Sequence, residues 1–478
     1  MMSGGPGTTS ARAEREAVEK RIGELRREAA YGQALAEAQR LRELVLCDGT
    51  AKAYELGDAE RLVETLRHVA AGPAEVQNEL AAADRMSNEY HFLRQRGAYG
   101  EGIAVAQRQL EIRRRLLGER HPDVADSIND VAALLQGKGD YAGAEAFYRE
   151  ALAMWRDILG PEHPDVAASL NNLGVLLQAK GDYAAAEAFH REALAILRKL
   201  LGAEHAKVAL SLSNLAALLS DMGNYAGAEP LFRRALATRR QLLGPEHAHV
   251  ALSLSNLAAL LIAEGEYAGA EPLLREALAL RYRLLGNEHP QVAESLNNLA
   301  GLLRGKGDIA GAEPLCRQAL AMWRRLLGPE HPHVALSLNS LAQLLLIRGD
   351  YVGAEPLLRE ALALRQKHLG SEHPDVAFSL NSLALLLRNK GDCSGAELLH
   401  REALAKMEKL YGPGHPRAIK CATDFGKTLL ALGRLDDAEA SLATAAASFD
   451  LARLRAGAGA SRSTFEESPY PLLAAVRL

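Results

Sequence analysis

The hydrophobic positions of this chain fall on helical spacing over most of its length. Between residues 122 and 137, Val124, Ile128, Val131 and Leu135 sit at i, i+4, i+7 and i+11, one stripe of a 3.6-residue helix. Gly139 can take positive φ and Asp140 is suited to cap a following helix, so a second helix is expected over about 141–157, with Ala144, Phe147, Ala151 and Leu152 on one face. Gly160 ends that helix, and Pro164 fits the first turn of the next, where its missing N–H would have had no partner. The pattern therefore predicts helix, tight turn, helix, short loop.

That unit recurs. Gly97, Gly139, Gly181, Gly223, Gly265, Gly307, Gly349, Gly391 and Gly433 are spaced by 42 residues. A second ladder keeps the same step: His121, His163, His205, His247, His289, His331, His373 and His415, each within a phrase close to LGxEHPxVA. Residues 96–450 thus read as an array of about nine helix pairs. Ala132, Ala144 and Ala151 return as Ala216, Ala228 and Ala235. Small side chains let helix axes approach closely, and a larger group there would overpack the contact by roughly 1–3 kcal/mol. Pro230, Pro272, Pro314 and Pro356 fall inside second helices, where each should remove a backbone hydrogen bond and bend the helix. Outside the array, residues 1–46 read as a flexible start and a charged helix over 11–45 that Gly32 interrupts, without a lasting heptad pattern. Residues 47–95 read as degenerate capping helices and 451–478 as a flexible tail.

With these residues the chain resembles the tetratricopeptide repeat family over about residues 80–450, in the 42-residue form typical of kinesin light chains and many scaffold proteins. It departs from the family pattern where a large aromatic on the first helix becomes Ile128, Leu170 and Leu212, and where a late proline on the second helix is missing. The resemblance implies an all-α, right-handed superhelical solenoid of about nine repeats. It also implies a concave groove lined by the residues at +2, +5, +9 and +12 from Val124 and its equivalents. The candidate groove residues are Asn129, Asn171, Leu210, Leu252, Asn297, Arg304, Leu336, Asn339, Gln343, Phe378, Asn381 and Arg388. Carboxamides can bond the N–H and C=O of an extended peptide of any sequence, while leucine and phenylalanine pockets add selectivity. The competing expectation is that Leu210, Leu252 and Leu336 are covered by neighbouring helices.

Charge and composition narrow the function. A net charge of −4 over 478 residues gives no field to attract nucleic acid or anionic lipid, so neither is an expected partner. The greasiest run, LAQLLLI at 341–347, is too short to cross a bilayer. Cys47, Cys316, Cys393 and Cys421 have no CxxC spacing, which points to a reducing cytoplasm; Cys316 and Cys393 replace Phe232 and Tyr351 of other units and are expected in the core. Neighbouring members of the histidine ladder lie about one helix-pair width apart, roughly 10 Å, too far to share a zinc ion, so the ladder is expected to structure loops and no metal or cofactor is expected. Glu145, Glu187, Glu271 and Glu355 precede Arg149, Arg191, Arg275 and Arg359 by four residues and read as helix ion pairs. With no phosphate loop, nucleophile elbow or dinucleotide fingerprint, the expected function is a non-catalytic, cytoplasmic scaffold that holds a protein or peptide segment. The alternative is a kinesin light chain-like cargo adaptor of a microtubule motor, implied by the repeat type alone. Partner identity and oligomeric state stay open.

Overall fold

A computed structural model describes residues 6–48, 51–456 and 468–477, and all their regular elements are α-helices. They are α1 (Pro6–Arg27), α2 (Tyr31–Cys47), α3 (Ala53–Ala71), α4 (Ala74–Gln95), α5 (Tyr99–Leu117), α6 (Pro122–Lys138), α7 (Tyr141–Leu159), α8 (Pro164–Lys180), α9 (Tyr183–Leu201), α10 (Ala206–Asp221), α11 (Tyr225–Leu243), α12 (Ala248–Ala263), α13 (Tyr267–Leu285), α14 (Pro290–Gly305), α15 (Ile309–Leu327), α16 (Pro332–Ile347), α17 (Tyr351–Leu369), α18 (Pro374–Asn389), α19 (Cys393–Tyr411), α20 (Pro416–Ala431), α21 (Leu435–Ala456) and α22 (Tyr470–Arg477). The helices expected over 122–137 and 141–157 are α6 and α7. Two compact units result: one holds the residues up to Gly137 together with Ala142–Ser169, the other Lys138–Tyr141 and the chain from Leu170 onward.

In the second unit the stripe read from sequence is the core. On α12, Val250, Leu254, Leu257 and Leu261 are buried, and Ala258 faces a helix partner whose Ala270 and Ala277 are fully enclosed. Gly265 ends α12 at φ +83°; its N–H reaches the Ile262 carbonyl at 3.0 Å and the Glu266 N–H reaches back to Leu261 at 2.7 Å, a left-handed cap that satisfies carbonyls of the last turn. Asp308, Asp350 and Asp392 cap the next second helices by accepting from the amide three residues on. The internal prolines do not interrupt their helices: α11, α13, α15 and α17 have the same 19 residues as proline-free α9 and α19. Of the two cysteines expected in the core, Cys316 is buried and Cys393 only partly so.

Two expectations for the flanks are corrected. The break in the N-terminal helix falls at 28–30, with Ala29 at φ +59°, and Gly32 lies inside α2. The first unit is also tightly built, because Arg26 bridges Asp84 at 2.8 Å and Asp123 at 2.6 Å while Arg113 reaches Asp84 at 2.7 Å. At the other end α21 runs on to Ala456, and residues 470–477 of the expected flexible tail form α22, whose Leu473 packs on Leu442 and Ala446. That short apolar run covers the exposed side of the last helix pair; 457–467 lies outside the described residues. No helix among the described residues is long and apolar enough to cross a membrane.

Candidate functional site

The histidine ladder shapes the entrance to each first helix. In all eight copies the ring Nδ1 accepts the backbone N–H two residues on, at 3.1 or 3.2 Å, so the imidazole does the capping that Ser or Asp does elsewhere. Capping in this way requires a neutral ring with an unprotonated Nδ1. Burial pulls the pKa of His121 and His373 down, and that of His415 to about 4, which keeps them in this form. In the first unit His163 lies 3.2 Å from Asp58 through Nε2 while its Nδ1 takes the Asp165 N–H. Both ring nitrogens are thereby engaged with protein groups on opposite edges of the ring.

A serine three residues after each Val of the first-helix stripe is the second recurring element. Ser127, Ser253, Ser295 and Ser379 accept from Nη1 of the buried Arg113, Arg239, Arg281 and Arg365 at 2.5–2.7 Å. Where that arginine is replaced by Leu197 or Trp323, the serine bonds the asparagine of the preceding first helix instead: Ser211 to Asn171 at 3.4 Å, Ser337 to Asn297 at 2.6 Å. With Met407 in the arginine place, Cys421 takes the role and lies 3.1 Å from Asn381. These arginines were not among the sequence candidates, although they sit on the same 42-residue step at 113, 239, 281 and 365.

Three of the asparagines, Asn171, Asn297 and Asn381, are therefore links within the array rather than free amides. Asn171 is 6% exposed and also accepts from His190 Nδ1 at 3.0 Å; Asn339 is 3% exposed with its carbonyl unpartnered. Asn381 bonds His400 at 3.0 Å and Asp424 at 3.1 Å, and Asn129 and Asn297 are half-buried. Arg304 donates to Gln343, and Arg388 to the Asp424 carbonyl at 3.3 Å. The apolar candidates behave differently. Leu210, Leu252, Leu336 and Phe378 are 37–50% exposed, so they are not covered by neighbouring helices.

The guanidiniums lie alongside this apolar row. Arg365 is 5.7 Å from the Phe378 ring, and Arg281 is 3.3 Å from Glu294, the residue that takes the place of Leu252 one repeat later. Arg239, beside Leu252 by the same register, is 4% exposed and has no carboxylate within ion-pair distance among the described residues. Desolvation pulls its pKa down, and no acid opposes the shift.

A tetratricopeptide repeat model matches residues 87–157, 126–199, 207–283, 249–313, 291–367, 341–409 and 375–450, well over half of the chain. The chain belongs to the tetratricopeptide repeat family. No curated protein matches it. Among solved structures, a Podosopora anserina protein with nearly identical TPR-like repeats of kinesin light chain type is 27% identical over 42% of this chain and 95% of its own, at a TM-score of 0.37. BtubC (BKLC) from P. vanneervenii is 29% identical over 48% and 93%, at 0.41. A Rap protein complexed with Competence and Sporulation Factor is 16% identical over 83% and 99%, at 0.52, a likeness of fold alone.

The first unit of this tetratricopeptide protein carries a different surface in the same register. Asp126 stands where Leu210 and Leu252 stand later; desolvation, then Asp123, Asp130 and Asp165, hold its carboxyl up to about 7. On second helices, Glu271 pairs with both Arg275 at 2.7 Å and Lys306 at 2.6 Å, and Glu355 with Arg359 at 2.8 Å and Lys390 at 2.6 Å. The expected helix pairs thus also tie one repeat to the next.

Proposed function

We propose that this tetratricopeptide array is a non-catalytic scaffold, working in the cytoplasm, that holds an extended segment of a partner protein along the first-helix row of its second unit. The reading rests on the exposed Leu210, Leu252, Leu336 and Phe378, repeated at the array's own step on helices whose core stripe is buried. Aliphatic anchors spaced along a rigid support suit an extended chain that offers side chains at intervals. Arg239 adds a chemical preference, because a buried guanidinium without a counter-ion is costly and a carboxylate brought in beside Leu252 would relieve it. The favoured segment is therefore aliphatic with an acidic residue between its anchors. Arg304, Gln343 and Arg388 border the row and would contact the segment through whatever donor capacity their internal bonds leave. The light-chain alternative gains nothing from α1 and α2, which pack on each other, α1 also on α4 and α2 on α3.

The test is a peptide array probed with the wild-type chain, then with Leu252→Asp, Leu336→Asp and Arg239→Gln. Leu252→Asp and Leu336→Asp should abolish most binding, and Arg239→Gln should remove the preference for acidic peptides. Leu398→Asp, on a second helix where the leucine is 66% exposed, should change nothing. Retention of the same peptides by both leucine variants would refute the assignment.

A further inference from the structure

Two turns of the second unit meet two of its later loops in register. Gly139 lies against the His373 ring and Gly181 against His415, so closely that a Cβ on either glycine would stand 2.5 or 2.6 Å from a ring carbon. The same contact, one repeat on, brings the starts of two second helices against the start of α20. Between them opens a cavity of about 300 Å³, at the lower end of the size range of small-molecule sites.

Its walls are aromatic. Tyr411 stacks on His415 at 4.3 Å, the Tyr141 ring stands 6.4 Å from Tyr411, and the Tyr183 ring 6.5 Å from His415. Two charged groups of opposite sign also line it. The Asp221 carboxylate, at the end of α10, accepts from Gln178 at 2.7 Å and has no cation within ion-pair distance among the described residues. The Arg417 guanidinium, in the first turn of α20, reaches the Tyr411 hydroxyl at 3.5 Å and likewise has no carboxylate partner. The two do not pair with each other.

We propose that this cavity binds a free zwitterionic α-amino acid with an aromatic side chain, its ammonium on Asp221 and Gln178, its carboxylate on Arg417, and its ring among the tyrosines. A ligand with only a positive charge would face Arg417 uncompensated, and one with only a negative charge would face Asp221 and the electron-rich ring faces. Only a ligand of both signs satisfies both walls, and the tyrosine faces add attraction for the ammonium. Desolvation raises the Asp221 carboxyl pKa, the cost that an incoming ammonium offsets. Because Asp221 and Arg417 belong to elements far apart in sequence, the bound amino acid would tie the early turns of the unit to its late loops. Gln178 lies at +12 of its first helix, but the anchors Leu210, Leu252, Leu336 and Phe378 do not line the cavity, so its occupancy does not depend on their binding a peptide.

The experiment is calorimetric titration and thermal unfolding of the full chain with L-phenylalanine, beside phenethylamine, which lacks the carboxylate, and 3-phenylpropionate, which lacks the ammonium. L-Phenylalanine should bind with a Kd of about a millimolar or below and raise the unfolding temperature, and each one-charge analogue should bind at least ~10-fold more weakly. Asp221→Asn and Arg417→Gln alter exposed residues, so helix content should be unchanged while affinity for L-phenylalanine drops ~10-fold or more. No binding of L-phenylalanine at 10-fold above that level, equal binding of either analogue, or wild-type affinity in both variants would each overturn the proposal.

Discussion

His190 and His400 occupy, on α9 and α19, the place that Phe232 fills on α11. Both are fully buried, and each donates from Nδ1 to an asparagine at 3.0 Å, leaving Nε2 enclosed without a partner. Burial, the leading cause in each case, takes both pKa values from 6.5 to about 4. The unfolded chain therefore binds these protons first as pH falls. Stability is fully retained above pH 6.5, is lost progressively down to about pH 4, and stops falling once the folded rings also protonate. At 1.36 kcal/mol per pH unit each ring removes about 3–4 kcal/mol across that window, so the pair removes about 7 kcal/mol. The perturbation is the double variant His190→Phe/His400→Phe. At 190 the new ring meets Gly174, whose missing Cβ makes room for the histidine ring; the position equivalent to Gly174 is Ala384 in the His400 repeat and Ala216 in the Phe232 repeat. Urea unfolding followed by circular dichroism from pH 7.5 to 4 should lose much less stability for the variant than for wild type. Local opening within an array can blur a single transition, so the pKa values should also be read directly by NMR of histidines labelled at Cε1. A ring titrating above pH 6, or parallel stability profiles for the two proteins, would refute the reasoning.

Three further outcomes follow from the same structure. His289→Ala removes an imidazole cap and should cost about 0.5–2 kcal/mol, measured by urea midpoint, whereas His289→Asp, which can cap through its carboxylate, should recover most of it. Gly265→Val forces a β-branched residue to φ +83° and should cost more than the ~1 kcal/mol of an ordinary surface change, visible as a lower thermal midpoint. Glu355→Ala breaks two exposed ion pairs, one within α17 to Arg359 and one to Lys390 of the next repeat, and should cost less than about 1 kcal/mol, an effect that shrinks when the same melts are run in 1 M salt.

The helices, their turns and the exposed leucines were legible in the sequence because each follows from a local rule repeated at a fixed step. The asparagines misled for a geometric reason. At roughly 100° per residue, +2 and +9 from Val124 lie about 200° and 180° from the core stripe, while +5 and +12 lie about 140° and 120° away. Leu210 and Leu252, at +2, accordingly face solvent, whereas Asn171 and Asn339, at +5, turn toward the adjoining first helix and are buried there. Arg239 was missed because the candidates were sought on first helices alone, and the serine it bonds lies 14 residues further along. The cavity beside Tyr141 and Tyr411 had no sequence signal, since it depends on how far the array turns before its loops meet.

The serine that bonds either an arginine or an asparagine has a consequence for how such a gene can change. Tandem copies of one unit invite unequal recombination, which duplicates or deletes a repeat and joins neighbours that were never adjacent. A junction that put a Leu197-type second helix, preceded by a serine as at Ser213 or Ser255, before a new first helix would offer its serine neither partner. Ser169, behind Trp155, stands unpartnered although Asn129 precedes it as Asn171 precedes Ser211, so the asparagine alone does not guarantee the bond. The repeats are therefore ordered text rather than interchangeable beads, and copy number can drift freely only where both halves of the choice travel together.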